Sequence, residues 1–402
     1  MGDSSVKGLV LSGGGMRGAY EAGAVAGIME VLGRKSSEPP LFQVFSGTSV
    51  GAINCAFFAS HAHLGDHGAG RLVDMWKSLE LSEHLRIRPL GLLRTPSLAR
   101  ELAPPFRAGR SLLDSSRIEA VVRGAIDFDR LHHNVRDGLV HALLISALHV
   151  VSGRTTVFAD VSPGASYSPS PARVARFGRI GPSHVLASAA IPLLFPTREI
   201  DGRFYCDGGL RFNTPIAPAI RAGAERLVVV AVGHQRTADE QLELDLTVDE
   251  AEARDIGTFF LLGKLLNALL LDPVHQDLAM LSRLNEVVDV LRASLSTEQF
   301  ERVQEVLVRV RGVAYRPIQT LVLRPSQDLG QLAGRFLQHG LERVEVRPLL
   351  RRLLRAGARG TIGREADWAS YLLFDGAFAG ELLELGRQDA LDKAREIREL
   401  LG

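Results

Sequence analysis

A serine between two glycines, an aspartate ahead of two glycines and a run of three glycines are where residue type and spacing point to chemistry in this 402-residue chain. The serine lies in "FSGTSVGA", where Gly47, Ser49 and Gly51 have G-x-S-x-G spacing. When a strand turns sharply into a helix, a serine in this pattern is lifted clear of the backbone. Glycines flank it because side chains there would collide with neighbouring chain. The helix start behind it also favours negative charge nearby. A serine hydroxyl still needs a base. Asp207, in "FYCDGGLRFNTPI" with Gly208 and Gly209, offers a carboxylate in a tight turn after a short strand-like run. Taken alone it reads as a turn residue; beside Ser49 it is the better candidate base. His61, His63, His149, His184 and His234 are the alternatives, and none has a compelling local setting.

The glycine run lies in "LVLSGGGMRGAYEAG", where Gly13, Gly15 and Gly18 also satisfy the dinucleotide pattern G-x-G-x-x-G. That reading wants an acidic residue about twenty positions on, at the end of the second strand. Here the second strand ends in "FSGTSVGA", which has none. A phosphate loop of the Walker type wants Lys-Ser or Lys-Thr after the glycines, and that is missing too. The chemistry that remains is an oxyanion hole: the backbone N–H groups of Gly13, Gly14 and Gly15, with Arg17 able to add positive charge.

The elements that must position these residues follow from hydrophobic patterning. "KGLVLS" (7–12) reads as a buried strand, followed by a helix that ends at Gly33. "LFQVFSG" (41–47) is a second strand, and "SVGAINCAFFASHA" opens a second helix. "HALLISALHVVSGRTTVFAD" (141–160) reads as a hairpin turning at Ser152-Gly153, while 225–233 and 318–326 read as further buried strands. Alternating strands and helices predict an α/β fold. Residues 86–116, rich in proline, arginine and leucine, read as a loop-rich insertion, either plain cover or a lid over a hydrophobic cleft. From about 250 the chain is mostly helical. The expected organisation is a catalytic core over 1–235 and a helical C-terminal extension over 236–402 that packs on it.

Composition narrows the function. Lysine plus arginine (47) nearly cancels aspartate plus glutamate (46), so no global basic field exists for nucleic acid. Two cysteines, Cys55 and Cys206, offer no disulfide framework and fit a reducing, cytoplasmic compartment. The N-terminal stretch is too short in aliphatics for a signal-peptide core, and Val6 stands where a myristoylation motif wants Ser or Thr. The longest apolar stretch, 257–271, is broken by Lys264 and Asn267 and falls short of the roughly twenty residues a spanning helix needs. Peripheral contact with a membrane could use 258–271 or "PLLRRLLRAGARG" (348–360). Packing on the core suits the same patterns and is the expectation for both. No metal or cofactor is expected.

With "GGGMRG", "GTSVG" and "DGG" in this order, the chain resembles the patatin-like phospholipases. "ASAAIPLLFP" (187–196) and "DGGLRFNTPIAPAIRAGAERLVVV" extend the resemblance. It implies a three-layer α/β/α fold with a mostly parallel sheet and a Ser49–Asp207 dyad without histidine. It further implies an oxyanion hole formed by Gly13, Gly14, Gly15 and Arg17. Gly47 and Gly51 would shape the nucleophile turn, with Gly18, Gly208 and Gly209 in support. The activity implied is hydrolysis of lipid esters through an acyl-serine. Transfer of that acyl group to an alcohol, or lipid binding without catalysis, are the alternatives. Asn54 and Asn213 are expected to hold local backbone, Pro192 to shape the acyl cleft, and Cys206 to be buried and structural.

Overall fold

The structure, a computed structural model, describes residues 5–80, 116–192, 194–235, 242, 258–270, 274–340 and 366–402. Strand β1 (Lys7–Leu11) leads through a glycine turn into helix α1 (Gly18–Leu32), which Gly33 ends in a left-handed conformation. Strand β2 (Val44–Thr48) leads directly into α2 (Val50–Ser60). Helices α3 (Ala69–Lys77), α4 (Ser116–Ala125) and α5 (Phe128–Arg136) come before the hairpin β3 (Ala142–His149) and β4 (Thr155–Val161). Its turn contains Gly153 at φ +62°. Then follow β5 (Val174–Phe177), α6 (Pro182–Ser188), β6 (Arg198–Ile200), β7 (Arg203–Asp207), α7 (Ile216–Arg221) and β8 (Arg226–Val230).

The C-terminal part comprises α8 (Thr258–Leu270), the hairpin α9 (Val274–Ser294) and α10 (Thr297–Arg311), and strand β9 (Gln319–Leu323). It continues through α11 (Leu329–Arg335), α12 (Asp367–Leu372), α13 (Gly376–Asp392) and α14 (Ala394–Leu401). Residues 86–115 of the expected insertion and the stretch 348–360 lie outside the described residues.

The strands form one mixed sheet in the order β5-β4-β3-β2-β1-β8-β9. From β3 to β9 all neighbours on this path are parallel, while β4 runs against β3. Alternation along each buried strand sends side chains to opposite faces. Leu9 and Leu11 join one apolar cluster with helices α1, α2 and α13, and Val10 joins a second with α7. The same split divides Val228 and Val230 from Leu227 and Val229. Both faces are thus covered, as an α/β/α fold of parallel strands requires.

The sheet continues past residue 235, because β9 pairs in parallel with β8 from Arg226↔Gln319 to Val230↔Leu323. Helix α13 lies against α1 at close range. A Cβ on Gly27 would meet Ala390 Cβ at 2.7 Å, so the two helices approach where α1 carries small residues. Strands β5 and β6 are short, four and three residues, which is why patterning marks them weakly.

Candidate active site

Chain order reverses at β1: β2 and β3 build outward on one side, β8 and β9 on the other. A crevice at the C-terminal ends of the strands beside such a switch point is the usual ligand site of an open α/β sheet. The glycine loop leaves β1 there and Ser49 leaves β2 there.

Register brings the aspartate to the serine. β2 pairs with β3 up to Thr48↔Ser146. The far edge of β3 is taken by β4 from Ala142 to Leu148. Strand β7 therefore continues along the β2 edge, with Ala147↔Asp207 as the next register position. Ser49 and Asp207 meet where one strand ends and the other takes over. The Ser49 hydroxyl donates to Asp207 Oδ2 at 2.6 Å, and the Gly209 N–H donates to Asp207 Oδ1 at 2.7 Å. Asp207 has no exposed surface. Burial raises its pKa from the ordinary carboxylate range to about 7, against the opposing pull of the Ser49 and Gly209 hydrogen bonds.

Ser49 has φ +55°, a positive-φ backbone that costs a non-glycine residue energy and persists only where the surroundings over-determine it. Two features hold it. A Cβ on Gly47 would collide with the Gly51 carbonyl, and one on Gly51 with the carbonyls of Leu11 and Ser12, so the turn closes only with glycine at both places. The Ser49 N–H also donates to Ser188 Oγ at 2.8 Å, and Ser188 Oγ donates to the Ser146 carbonyl at 2.6 Å. Ser188 sits in the "ASAA" segment without a role that residue type or spacing would assign it.

The glycine loop packs against the serine: a Cβ on Gly13 would lie 3.0 Å from Ser49 Cβ. The Gly13 N–H already donates to the Asn213 carbonyl at 3.3 Å, while Asn213 Nδ2 donates back to the Gly13 carbonyl at 3.1 Å. The expected donor trio thereby narrows to Gly14 and Gly15, which open the 3-10 turn Gly15–Arg17. N–H groups at the head of a helical turn have no acceptor within it. Arg17 differs from expectation. Its guanidinium is buried and engaged by Ser370 Oγ at 2.9 Å and Asn267 Oδ1 at 3.2 Å, and it does not line the cavity at Ser49.

That cavity, about 80 Å³, touches Gly15 and Ser49 and is walled almost entirely by apolar side chains, among them Val50, Trp76, Leu79, Val122, Ile191 and Phe374. Ile191 and Phe195 form its wall where Pro192 was expected, since the proline is not among the lining residues. Trp76 Nε1 donates to Asn54 Oδ1 at 3.2 Å, and Asn54 Nδ2 donates to the Gly18 carbonyl and to buried Glu21. Burial pushes the Glu21 pKa well up. Asn54 and Asn213 thus both grip backbone next to their turns. Cys206 is buried, and burial with the neighbouring Asp207 raises its thiol pKa to about 12. Of the candidate histidines, His234 Nδ1 lies 2.9 Å from the Pro325 carbonyl and His184 Nδ1 accepts from the Gly181 N–H. Trp76, Leu79 and Phe374 carried no signal in the sequence, because an apolar residue in a helix or loop reads the same in a core and in a pocket.

A family model described as Patatin-like phospholipase matches residues 9–220. Among solved structures, the chain is similar to the crystal structure of VipD from Legionella pneumophila at 12% identity and a TM-score of 0.31. The alignment covers 90% of this chain and 66% of that one, and at that score it carries no weight for function. No curated protein matches the chain.

Proposed function

Because the chain belongs to the patatin-like phospholipase family, a family of lipid acyl hydrolases, we propose that it hydrolyses lipid carboxylic esters with Ser49 as nucleophile and Asp207 as general base. The observation that carries the reading is the 2.6 Å hydrogen bond to a buried carboxylate from the hydroxyl of Ser49, which lines an apolar cavity.

In the first step Ser49 Oγ attacks the ester carbonyl while its proton passes to Asp207 Oδ2. An ordinary carboxylate is a weak base for an alcohol, and burial brings Asp207 to about 7, near the optimum for proton transfer at neutral pH. The carbonyl oxygen gains negative charge and is met by the N–H groups of Gly14 and Gly15. One such donor typically contributes a hundred- to a thousandfold in rate. Collapse of the tetrahedral intermediate breaks the ester C–O bond, and the leaving alkoxide takes the proton from Asp207. Water then attacks the acyl-Ser49 ester and gives its proton to Asp207. Release of the fatty acid breaks the bond to Ser49 Oγ, which recovers that proton.

The apolar lining of the cavity suits the hydrocarbon of an acyl chain. Contact with a lipid surface belongs to the same reading: α8 leaves Leu261 and Leu265 exposed beside buried Leu266. Among the described residues no helix is long and apolar enough to cross a membrane.

Turnover of p-nitrophenyl butyrate and of phosphatidylcholine vesicles by wild-type, Ser49→Ala and Asp207→Asn protein tests the proposal. The wild type should release fatty acid, and each folded variant should lose on the order of 10⁴-fold in kcat. Undiminished turnover by folded Ser49→Ala protein would falsify it. An added alcohol acceptor that collects the acyl group would redirect it to acyl transfer.

A further inference from the structure

The guanidinium of Arg17 was expected to face a developing oxyanion, and instead it is enclosed by residues more than 240 positions away in sequence. Its Nε donates to Ser370 Oγ at 2.9 Å and its Nη2 to Asn267 Oδ1 at 3.2 Å. Asp367 Oδ1 lies 3.6 Å from Nη2, and the Tyr371 ring lies beneath the guanidinium, 4.1 Å from Cζ to its centroid. The partners are themselves held. Ser370 Oγ donates to the Asp367 carbonyl at 2.6 Å, and the Tyr371 hydroxyl donates to Asn267 Oδ1 at 2.8 Å. Arg17 and Asp367 are both buried, so this is an ion pair that water cannot replace.

Three further contacts tie the same segment to the site. The Tyr371 carbonyl lies directly against Gly15, at φ +56°, where a Cβ would collide with it. Tyr371 and Leu372 pack with Ile191 and Leu194, next to the cavity wall. Phe374 lines the cavity itself. Asn267, Asp367, Ser370, Tyr371, Leu372 and Phe374 all lie beyond the stretch 9–220 that the family model matches.

We infer that the segment Asp367–Phe374 is an integral part of the active site, a latch that fixes the glycine loop through Arg17, and that Arg17 is a positioning residue. The Arg17 N–H donates to the Gly14 carbonyl at 3.1 Å, closing the turn that presents Gly14 and Gly15. Anchoring the Arg17 side chain therefore anchors that turn. A guanidinium turned toward the substrate would give up Ser370, Asn267 and Asp367 at once, leaving a buried carboxylate to Lys264, 3.2 Å away, as its ion-pair partner among the described residues.

The kinetic arm of the test rests on the acyl-hydrolase reading, and hydrogen exchange on the loop does not. Ser370→Ala should speed amide exchange in a peptide spanning 9–18 and leave distant peptides of the sheet unchanged. It should also lower kcat for p-nitrophenyl butyrate by about 10- to 100-fold with KM within about twofold. Arg17→Lys, which keeps the charge but lacks the planar fork that reaches Ser370 and Asn267 from two separate nitrogens, should do the same, and the double variant should be no worse than the poorer single one. Unchanged exchange over 9–18 in both single variants overturns the latch. So does strict additivity of the two kcat losses, or full activity in Arg17→Lys. A wild type that hydrolyses no ester would overturn the acyl-hydrolase reading, while the exchange arm would still decide the latch.

Discussion

Asp207 concentrates the residue-scale physics in one carboxyl. As the proposed base it must be ionised to take a proton, yet its burial favours the neutral acid and places its pKa at about 7. The expected outcome is a kcat/KM for a soluble ester that rises with pH through an apparent pKa near 7, one to two units below which activity is largely lost. Stability runs the other way. The folded protein holds this proton more tightly than the unfolded chain, so the contribution is full below the ordinary carboxylate range. It is lost as pH rises from about 4 through about 7. Asp207→Asn should therefore flatten the pH profile of the unfolding free energy in that window while removing activity, as denaturant titrations across pH would reveal. A wild-type profile identical to that of the variant would show that Asp207 titrates as an ordinary carboxylate. The strained Ser49 belongs to the same scale: its backbone is held by Ser188 and by two glycines, so the hydroxyl reaches Asp207 in a fixed geometry.

Elements meet closely where the chain has given up side chains. Gly27 of α1 faces Ala390 Cβ and the Arg387 carbonyl of α13, each 2.7 Å from where a Cβ would stand. The carbonyl belongs to helix backbone and cannot turn aside like a flexible side chain. Gly27→Val should thus push α13 away and destabilise the fold by about 1–3 kcal/mol or more, the usual range for overpacking. Urea melts would report it as a lowered midpoint with an unchanged slope. Because α13 follows directly on α12 and Phe374, the same variant should also slow ester hydrolysis. An unaltered midpoint would mean that the two helices do not meet as closely as described.

At the scale of the whole molecule, the C-terminal helices serve two surfaces at once. Helix α8 sends Asn267 to Arg17 and buries Leu266, while Leu261 and Leu265 remain exposed. If lipid is reached through this helix, Leu261→Glu with Leu265→Glu should lower flotation with phosphatidylcholine vesicles and slow vesicle hydrolysis. Turnover of a soluble short-chain ester should stay unchanged, because both side chains point away from the buried partners. Equal vesicle binding by wild type and double variant would remove α8 as the contact.

Local features are written in the residues themselves. Glycine spacing around Ser49 and Asp207, and the strand-to-helix patterning ahead of them, are legible because sterics at a sharp turn act over a few residues. The alternating layers are legible for the same reason, since a buried strand and an amphipathic helix each declare their own period. Features that depend on register and on distant partners emerge only once the chain has folded. That Asp207 follows Thr48 along one edge of β3 is a matter of strand pairing, and it brings together Ser49 and Asp207, which lie 158 positions apart in sequence. The direction of Arg17 was open in the sequence because a guanidinium seeks whichever acceptors the fold brings near, and here they come from α8 and α12. Trp76 and Phe374 become cavity wall in place of core only when the helices around Ser49 leave room between them.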